Sequence, residues 1–217
     1  MSLNKIIVML GAPGAGKGTQ ARKLQEKFSL PQISTGDILR QIAKENTSLG
    51  STIREIQALG KLVSDDVLLQ LVTNRTSKED CKEGFVLDGY PRTLNQAKQL
   101  GFLAKEHNKP VVVIEVKVSE EILLNRLTGR RTCSGCGEIY NIYYKPPKNE
   151  SKCDICESVL TNRSDDKLEA IKSRLEEYKA NTTPLIDYYT NMNSLISVDG
   201  TQLASEIFDK LCYILKP

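Results

Sequence analysis

Three things are scarce in this sequence, and each scarcity excludes a class of protein. No apolar run approaches the roughly 20 residues needed to cross a bilayer. The first run, Ile6–Leu10, is cut off at once by Gly11, Ala12 and Pro13. It is also too short for the apolar core and cleavage site of a signal peptide. A membrane span is excluded on this reading, and a cytosolic location is expected. Blocks of like charge are missing as well: no five consecutive residues share a sign, and 30 Lys and Arg against 27 Asp and Glu leave a formal charge of +3. So mild an excess is no nucleic-acid-binding arm. Histidine occurs once, at His107, in a polar helix-to-strand connection where a surface residue is expected. No other side chain stands out as a general base. Internal repeats and low-complexity tails are likewise absent.

What is present suits a globular α/β protein. The 217 residues, 40% hydrophobic and 26% charged, suffice for one sizeable domain and a small inserted one. Lys5–Leu10, "GFVLDGYPR", "KPVVVIEVKV" and "SLISVDG" read as short apolar strands. Amphipathic helical stretches separate them: Gly16–Phe28, "ISTGDILRQIAKE", "VSDDVLLQLVTNRT", "LNQAKQLGFLAKEH", "SEEILLNRLTGRR", "DDKLEAIKSRLEEYKANTTPLIDYY" and "QLASEIFDKLCYILK". Ser34 or Thr35, Ser64 and Ser119 are candidate N-caps, with Asp65 and Asp66 favoured by the helix dipole. Strands alternating with helices predict a parallel sheet covered on both faces. The alternation breaks between Arg131 and Asp165, where glycines, two adjacent prolines and four cysteines gather.

The first strand runs into "GAPGAGKGTQ" at positions 11–20. Gly11-x-x-x-x-Gly16-Lys17, between a strand and a helix, is the setting of a phosphate-binding loop. Glycines let backbone N–H groups converge on phosphate oxygens, and the helix N-terminus adds positive potential. Gly18 stands where Ser or Thr ordinarily follows the lysine, and the hydroxyl comes one residue later, at Thr19. Direct Mg²⁺ ligation by this loop is therefore in doubt.

Two cysteine pairs, Cys133-x-x-Cys136 and Cys153-x-x-Cys156, have the spacing of a four-thiolate zinc site. With sulfur at every position no place remains for a catalytic water, so the metal is expected to be structural. It would offset the small core of a segment of about 35 residues. Rubredoxin-like iron and a pair of disulfides remain as alternatives. Cys81 and Cys212 lie apart and read as small buried apolar side chains.

Taken in order, "GAPGAGKGTQ", "ISTGDILR", "GKLVSDD", "FVLDGYPRTLNQA", "RLTGRR" and "NRSDD" resemble the adenylate kinase family of nucleoside monophosphate kinases over essentially the whole chain. The cysteine segment is similar to the long, zinc-containing form. The resemblance implies a P-loop NTPase-type parallel sheet flanked by helices, with a helical AMP-binding arm at 34–63 and a small zinc-binding lid at 131–165. Residues 1–33, 64–130 and 166–217 would form the core. It implies the reaction ATP + AMP = 2 ADP, with Mg²⁺ accompanying ATP and structural Zn²⁺ in the lid.

Residue by residue, the resemblance places ATP against Gly14, Ala15, Gly16, Lys17, Gly18 and Thr19. Arg126 would stack on adenine, with Arg130, Ile139 and Tyr140 of the lid and the backbone near Gln202 alongside. AMP would lie against Thr35, Arg40, Lys61, Leu62, Val63, Gly89, Tyr90, Pro91 and Arg92, with Gln96 reading the adenine edge. Lys17, Arg92, Arg130, Arg163 and Arg174 would gather on the transferring phosphates. A guanidinium binds phosphate in a bidentate fashion, and such a reaction depends chiefly on positioning and electrostatics. Asp88, ending an apolar run, would organise Mg²⁺ and its waters. A monomer is expected, because lid and arm must both swing. Two other readings stay open: a kinase for UMP or CMP, and a non-catalytic nucleotide switch or zinc-ribbon nucleic-acid binder.

Overall fold

The computed structural model describes residues 3–216. Its centre is a five-stranded parallel sheet in the order β2-β3-β1-β4-β8. The strands are β1 (Lys5–Leu10), β2 (Gln32–Ser34), β3 (Gly84–Asp88), β4 (Val111–Lys117) and β8 (Leu195–Asp199). Four of them are the apolar runs read from the sequence. β2 is the one that reading missed, because three residues beside a proline carry no periodicity.

Alternation along β1 sends its side chains into two cores. Ile6, Val8 and Leu10 join the cluster under one set of helices, and Ile7 and Met9 the cluster under the other. The first set comprises α2 (Thr35–Ile42), α3 (Ser48–Ala58), α4 (Asp65–Thr76), α5 (Leu94–Glu106) and α8 (Pro184–Asn191). The second comprises α1 (Lys17–Phe28), α6 (Glu120–Thr128), α7 (Leu168–Glu177) and α9 (Ala204–Ile214). Both faces of the sheet are covered, as its near-continuous apolar strands require.

The helix ends refine several expectations. Ser34 is the N-cap of α2 and accepts from the Asp37 N–H, so Thr35 is inside the helix. Ser64 and Ser119 occupy N-cap positions, but neither side chain makes a capping bond. The stretch read as one helix from residue 165 onward is broken. A 3₁₀ turn at Ser164–Asp166 precedes α7, and a π-helical turn at Tyr178–Thr182 separates α7 from α8. Pro184 starts α8 because its missing N–H is no loss in a first turn.

Between α6 and α7 a second sheet is inserted, antiparallel, in the order β6-β5-β7. It comprises β5 (Arg130–Cys133), β6 (Ile139–Asn141) and β7 (Leu160–Thr161). Its core is only Cys133, Tyr140, Cys153 and Leu160. Arg22 of α1 ties it to the main body, donating to the Glu138 carboxylate at 2.7 Å and to the Gly137 carbonyl at 3.1 Å.

Cys81 is buried as expected, but Cys212 is half-exposed on α9. His107 is not a plain surface residue: it caps α5 half-buried, edge-on to Phe85 at 5.5 Å between ring centroids. Among the described residues no helix is long and apolar enough to cross a membrane.

Candidate active site

The site lies at the C-terminal ends of β1 and β3, where parallel strands hand over to helix N-termini. The turn after β1 carries the glycine loop. Gly16, the N-cap of α1, has φ +99°, a conformation that side chains rarely adopt. Lys17 then curls back, its ammonium donating to the Ala12 carbonyl at 2.9 Å. At the unusual Gly18 a Cβ would lie 3.0 Å from Asp88 Oδ2, so the Asp88 carboxylate stands close against the loop. Thr19 is exposed.

Positive charge converges on this point. Burial pulls the Lys17 ammonium down from 10.5 to about 8; Arg92, Arg174 and Arg130 push the same way, and Asp88 opposes them. Burial and then Arg174 bring Arg92 down to about 10. Burial, then Arg130 and Arg40, do the same to Arg163. Arg174 is lowered by burial, partly offset by Asp165. Cations that depress one another in a half-buried cleft form a receptor for anions.

Arg92 is held at three points, two on its main chain and one on its side chain. Its N–H donates to Gln96 Oε1 at 2.7 Å, its own Nε to the Gly89 carbonyl at 2.8 Å, and the Thr182 hydroxyl to its carbonyl at 2.9 Å. Thr182 sits in the π-helical turn, and an extra residue in a helix is what brings it there.

Two carboxylates that the sequence reading left without a role occupy the cationic cleft. Asp166 accepts from Arg130 Nε at 2.7 Å and from Arg174 at 3.2 Å. Asp165 pairs with Arg174 at 3.2 Å and leaves its buried Oδ1 without a partner. Burial alone would raise the Asp165 carboxyl, but Arg174 and Arg130 hold it below its ordinary value. Both residues lie in the quoted stretch "NRSDD", so the signal was present. Gln57 was also missed; it belongs to α3, a helix that the sequence reading did not identify.

A pocket opens beside Arg92, lined by Thr35, Arg40, Lys61, Leu62, Val63, Arg174 and Gln57 among others. Most of the predicted acceptor set is therefore gathered on one cavity. Thr35 is buried and gives its hydroxyl to the Gly89 carbonyl at 2.9 Å. Arg40 pairs with Asp37 at 2.6 Å. Gly89, Tyr90, Pro91, Gln96 and Arg163 do not line this pocket. The Tyr90 ring is in the apolar core, and Gln96 is fully buried with both ends of its amide engaged.

On the other side of the glycine loop, Arg126 donates to the carbonyls of Gly200 at 2.8 Å and Ala15 at 3.3 Å. The turn carrying exposed Gln202 is thereby held near the loop. The Arg126 guanidinium lies 5.7 Å over the Tyr144 ring, which the sequence reading did not single out. Ile139 is half-exposed on β6, whereas the Tyr140 side chain turns inward, its hydroxyl accepting from the Asp154 N–H at 2.9 Å. The Tyr140 backbone pairs with Arg131 in the antiparallel sheet.

The sulfurs of Cys133, Cys136, Cys153 and Cys156 all lie within 4.8 Å of one another. Cys133 and Cys156 are 3.4 Å apart, and Cys136 and Cys153 3.6 Å. Tetrahedral ligands 2.3 Å from a metal would be about 3.8 Å apart, so the four sulfurs fit one ion, and the pairs are too far apart for disulfides. The N–H groups of Gly135, Cys136 and Ile155 point at sulfur at 3.4 Å, as thiolates in a metal knuckle require.

The adenylate kinase family model matches residues 9–194. The chain belongs to the adenylate kinase family. It is 50% identical to the adenylate kinase of Thermodesulfovibrio yellowstonii over 97% of this chain and 98% of that protein. Identity is 47% to the adenylate kinase of Methanosarcina barkeri, over 97% and 98% of the two chains. It is 46% to that of Archaeoglobus fulgidus, over 97% of each. The family match spans the glycine loop, the Arg92 segment and the inserted cysteine sheet alike.

Proposed function

We propose that this protein is an adenylate kinase, transferring the γ-phosphoryl group of ATP to AMP and back, ATP + AMP = 2 ADP. The observation that carries the reading is the gathering of Lys17, Arg92, Arg130 and Arg174 between the glycine loop and the pocket of Thr35, Arg40 and Val63. In the forward direction an AMP phosphate oxygen forms a bond to the γ-phosphorus. The bond to the bridging oxygen breaks, and its electron pair stays on the departing ADP. The attacking oxygen is already ionised, so no general base is needed. Lys17 and the four arginines, Arg163 included, hold the two anions in line and stabilise charge on the equatorial oxygens. Arg130 and Arg174 must exchange Asp165 and Asp166 for phosphate, so the carboxylates keep the cleft paired between turnovers.

Mg²⁺ arrives with ATP and would be held through its waters by Asp88, neutralising the β- and γ-phosphates. The cysteine site suits Zn²⁺, with Cys133, Cys136, Cys153 and Cys156 as a closed ligand set that fixes the shape of the inserted sheet. Residues 131–165 act as a lid that excludes water from the phosphates and residues 34–63 as the AMP-binding arm, both hinged on a core of 1–33, 64–130 and 166–217. The protein works as a cytoplasmic monomer with no nucleic-acid or membrane partner. A coupled assay tests the reaction: ADP is expected from ATP and AMP with Mg²⁺. Transfer to UMP or CMP but not AMP would overturn the acceptor assignment. A sedimentation mass near twice 24.2 kDa would overturn the monomer.

A further inference from the structure

We propose that Gln57 reads the base of the acceptor nucleotide, its side-chain amide hydrogen-bonding the edge of the adenine. The inference rests on the reading that the pocket beside Arg92 takes AMP.

Gln57 lines that pocket, and it is the one side-chain amide among the described residues that does. Its main-chain carbonyl is engaged at the end of α3, where it accepts from the Gly60 N–H at 3.0 Å. Its side chain is half-buried, and the amide makes no hydrogen bond to any described residue. The other polar groups are already committed. Thr35 gives its hydroxyl proton to the Gly89 carbonyl at 2.9 Å, and Arg40 pairs with Asp37 at 2.6 Å. Gln96 lies outside the pocket with both ends of its amide bonded.

The walls of the pocket divide by chemistry. Arg40, Arg92 and Arg174 make one part cationic, which suits a phosphate. Leu39, Val63 and Leu68 make another part apolar, and they belong to one buried cluster with Ile53. Gln57 follows Ile53 by four residues on α3, so the two share a face of the helix. The amide therefore borders the apolar wall, where a flat base belongs. A base entering there strips water from the amide, which costs free energy unless the base bonds it in turn. Adenine can do so: its 6-amino donor stands beside a ring-nitrogen acceptor, and a glutamine amide offers the matching acceptor and donor. No bond within the protein fixes which way the amide faces, so Gln57 demands a hydrogen-bonding 6-substituent more than it demands one order of groups.

The test compares AMP, 2′-deoxy-AMP and purine riboside 5′-monophosphate, which lacks the 6-amino group, as acceptors for the full-length wild type and Gln57→Met. Methionine keeps the length and unbranched shape and removes the amide. The readout is the ratio of kcat/KM for AMP to that for purine riboside monophosphate, with KM for ATP and the melting temperature alongside. Gln57→Met is expected to lower that ratio about three- to tenfold, while KM for ATP and the ratio of AMP to 2′-deoxy-AMP hold. A merely structural Gln57 would weaken all three acceptors alike and leave the ratio unmoved, which overturns the proposal. A fall confined to the ratio of AMP to 2′-deoxy-AMP gives the amide to the ribose and also overturns it. A wild type that phosphorylates UMP or CMP and not AMP fails the reading of the pocket, and the proposal with it. Should Gln57→Met not fold, the wild type itself answers. The nitrogen resonance of the Gln57 side-chain amide is expected to shift on adding AMP and much less with purine riboside monophosphate, and equal shifts overturn the assignment.

Discussion

Replacing Lys17 by methionine is expected to abolish turnover and yet make the nucleotide-free protein more stable. Lys17 is drawn down from 10.5 to about 8, first by burial and then by Arg92, Arg174 and Arg130, against the pull of Asp88. At pH 7 the group is charged in both folded and unfolded states. Its folded form then carries the whole penalty, about 3 kcal/mol for a shift of that size. The residue is only half-buried, and solvent screening removes about half of this. Losing the bond to the Ala12 carbonyl returns about 1 kcal/mol. A net gain of roughly 0.5 kcal/mol remains, or about 1–2 °C in melting temperature for a chain of this length.

The pH dependence has a definite sign. As pH rises from about 8 towards 10.5 the folded protein releases the Lys17 proton before the unfolded chain does. Wild-type stability therefore gains relative to Lys17→Met, and the gap closes or reverses. Melting both proteins without nucleotide at several pH values checks this. A variant that melts below wild type at pH 7, or a gap that stays constant from pH 7 to 10.5, refutes the charge-penalty argument. Adding ADP should restore the wild type's advantage, since bound phosphate compensates the cation and raises stability by mass action.

Arg92→Ala is expected to cut kcat by a factor of about 100 or more with the fold intact, and retention of over half the activity removes Arg92 from the chemistry. Thr182→Val leaves the Arg92 carbonyl short of its 2.9 Å partner, so kcat should drop about tenfold while Thr182→Ser keeps it; equal loss in both variants points to packing instead. Cys153→Ser should lower zinc content and melting temperature more than turnover at low temperature. The reverse pattern, turnover lost while zinc and melting hold, would show that the cluster is more than a structural clip.

Short-range spacing made the phosphate loop and the four-thiolate cluster legible in the sequence, whereas the reaction was implied only by the resemblance to a family. A strand, four glycines, a lysine and a helix in one continuous stretch leave little choice but a phosphate loop. Two C-x-x-C pairs likewise carry their metal geometry in the spacing, and the four sulfurs do meet. The alternating strands were legible because a parallel sheet buried on both faces is apolar throughout; only β2, too short for a pattern, escaped. Tertiary structure decided what depends on distance across the fold. Asp88, 70 positions further on at the end of a neighbouring strand, stands 3.0 Å from where a Cβ of Gly18 would be, a closeness that no spacing along the chain announces. No spacing rule could give Thr182 a role, since a π-helical turn at the far end of the chain brings it to Arg92. Tyr140 matched a motif position, yet the fold turns its ring into the cysteine core. Asp65 read as an ordinary helix-start carboxylate. Its grip on Gln96 exists because α4 and α5 start side by side, and a hydrogen bond depends on that meeting and not on the spacing along the chain.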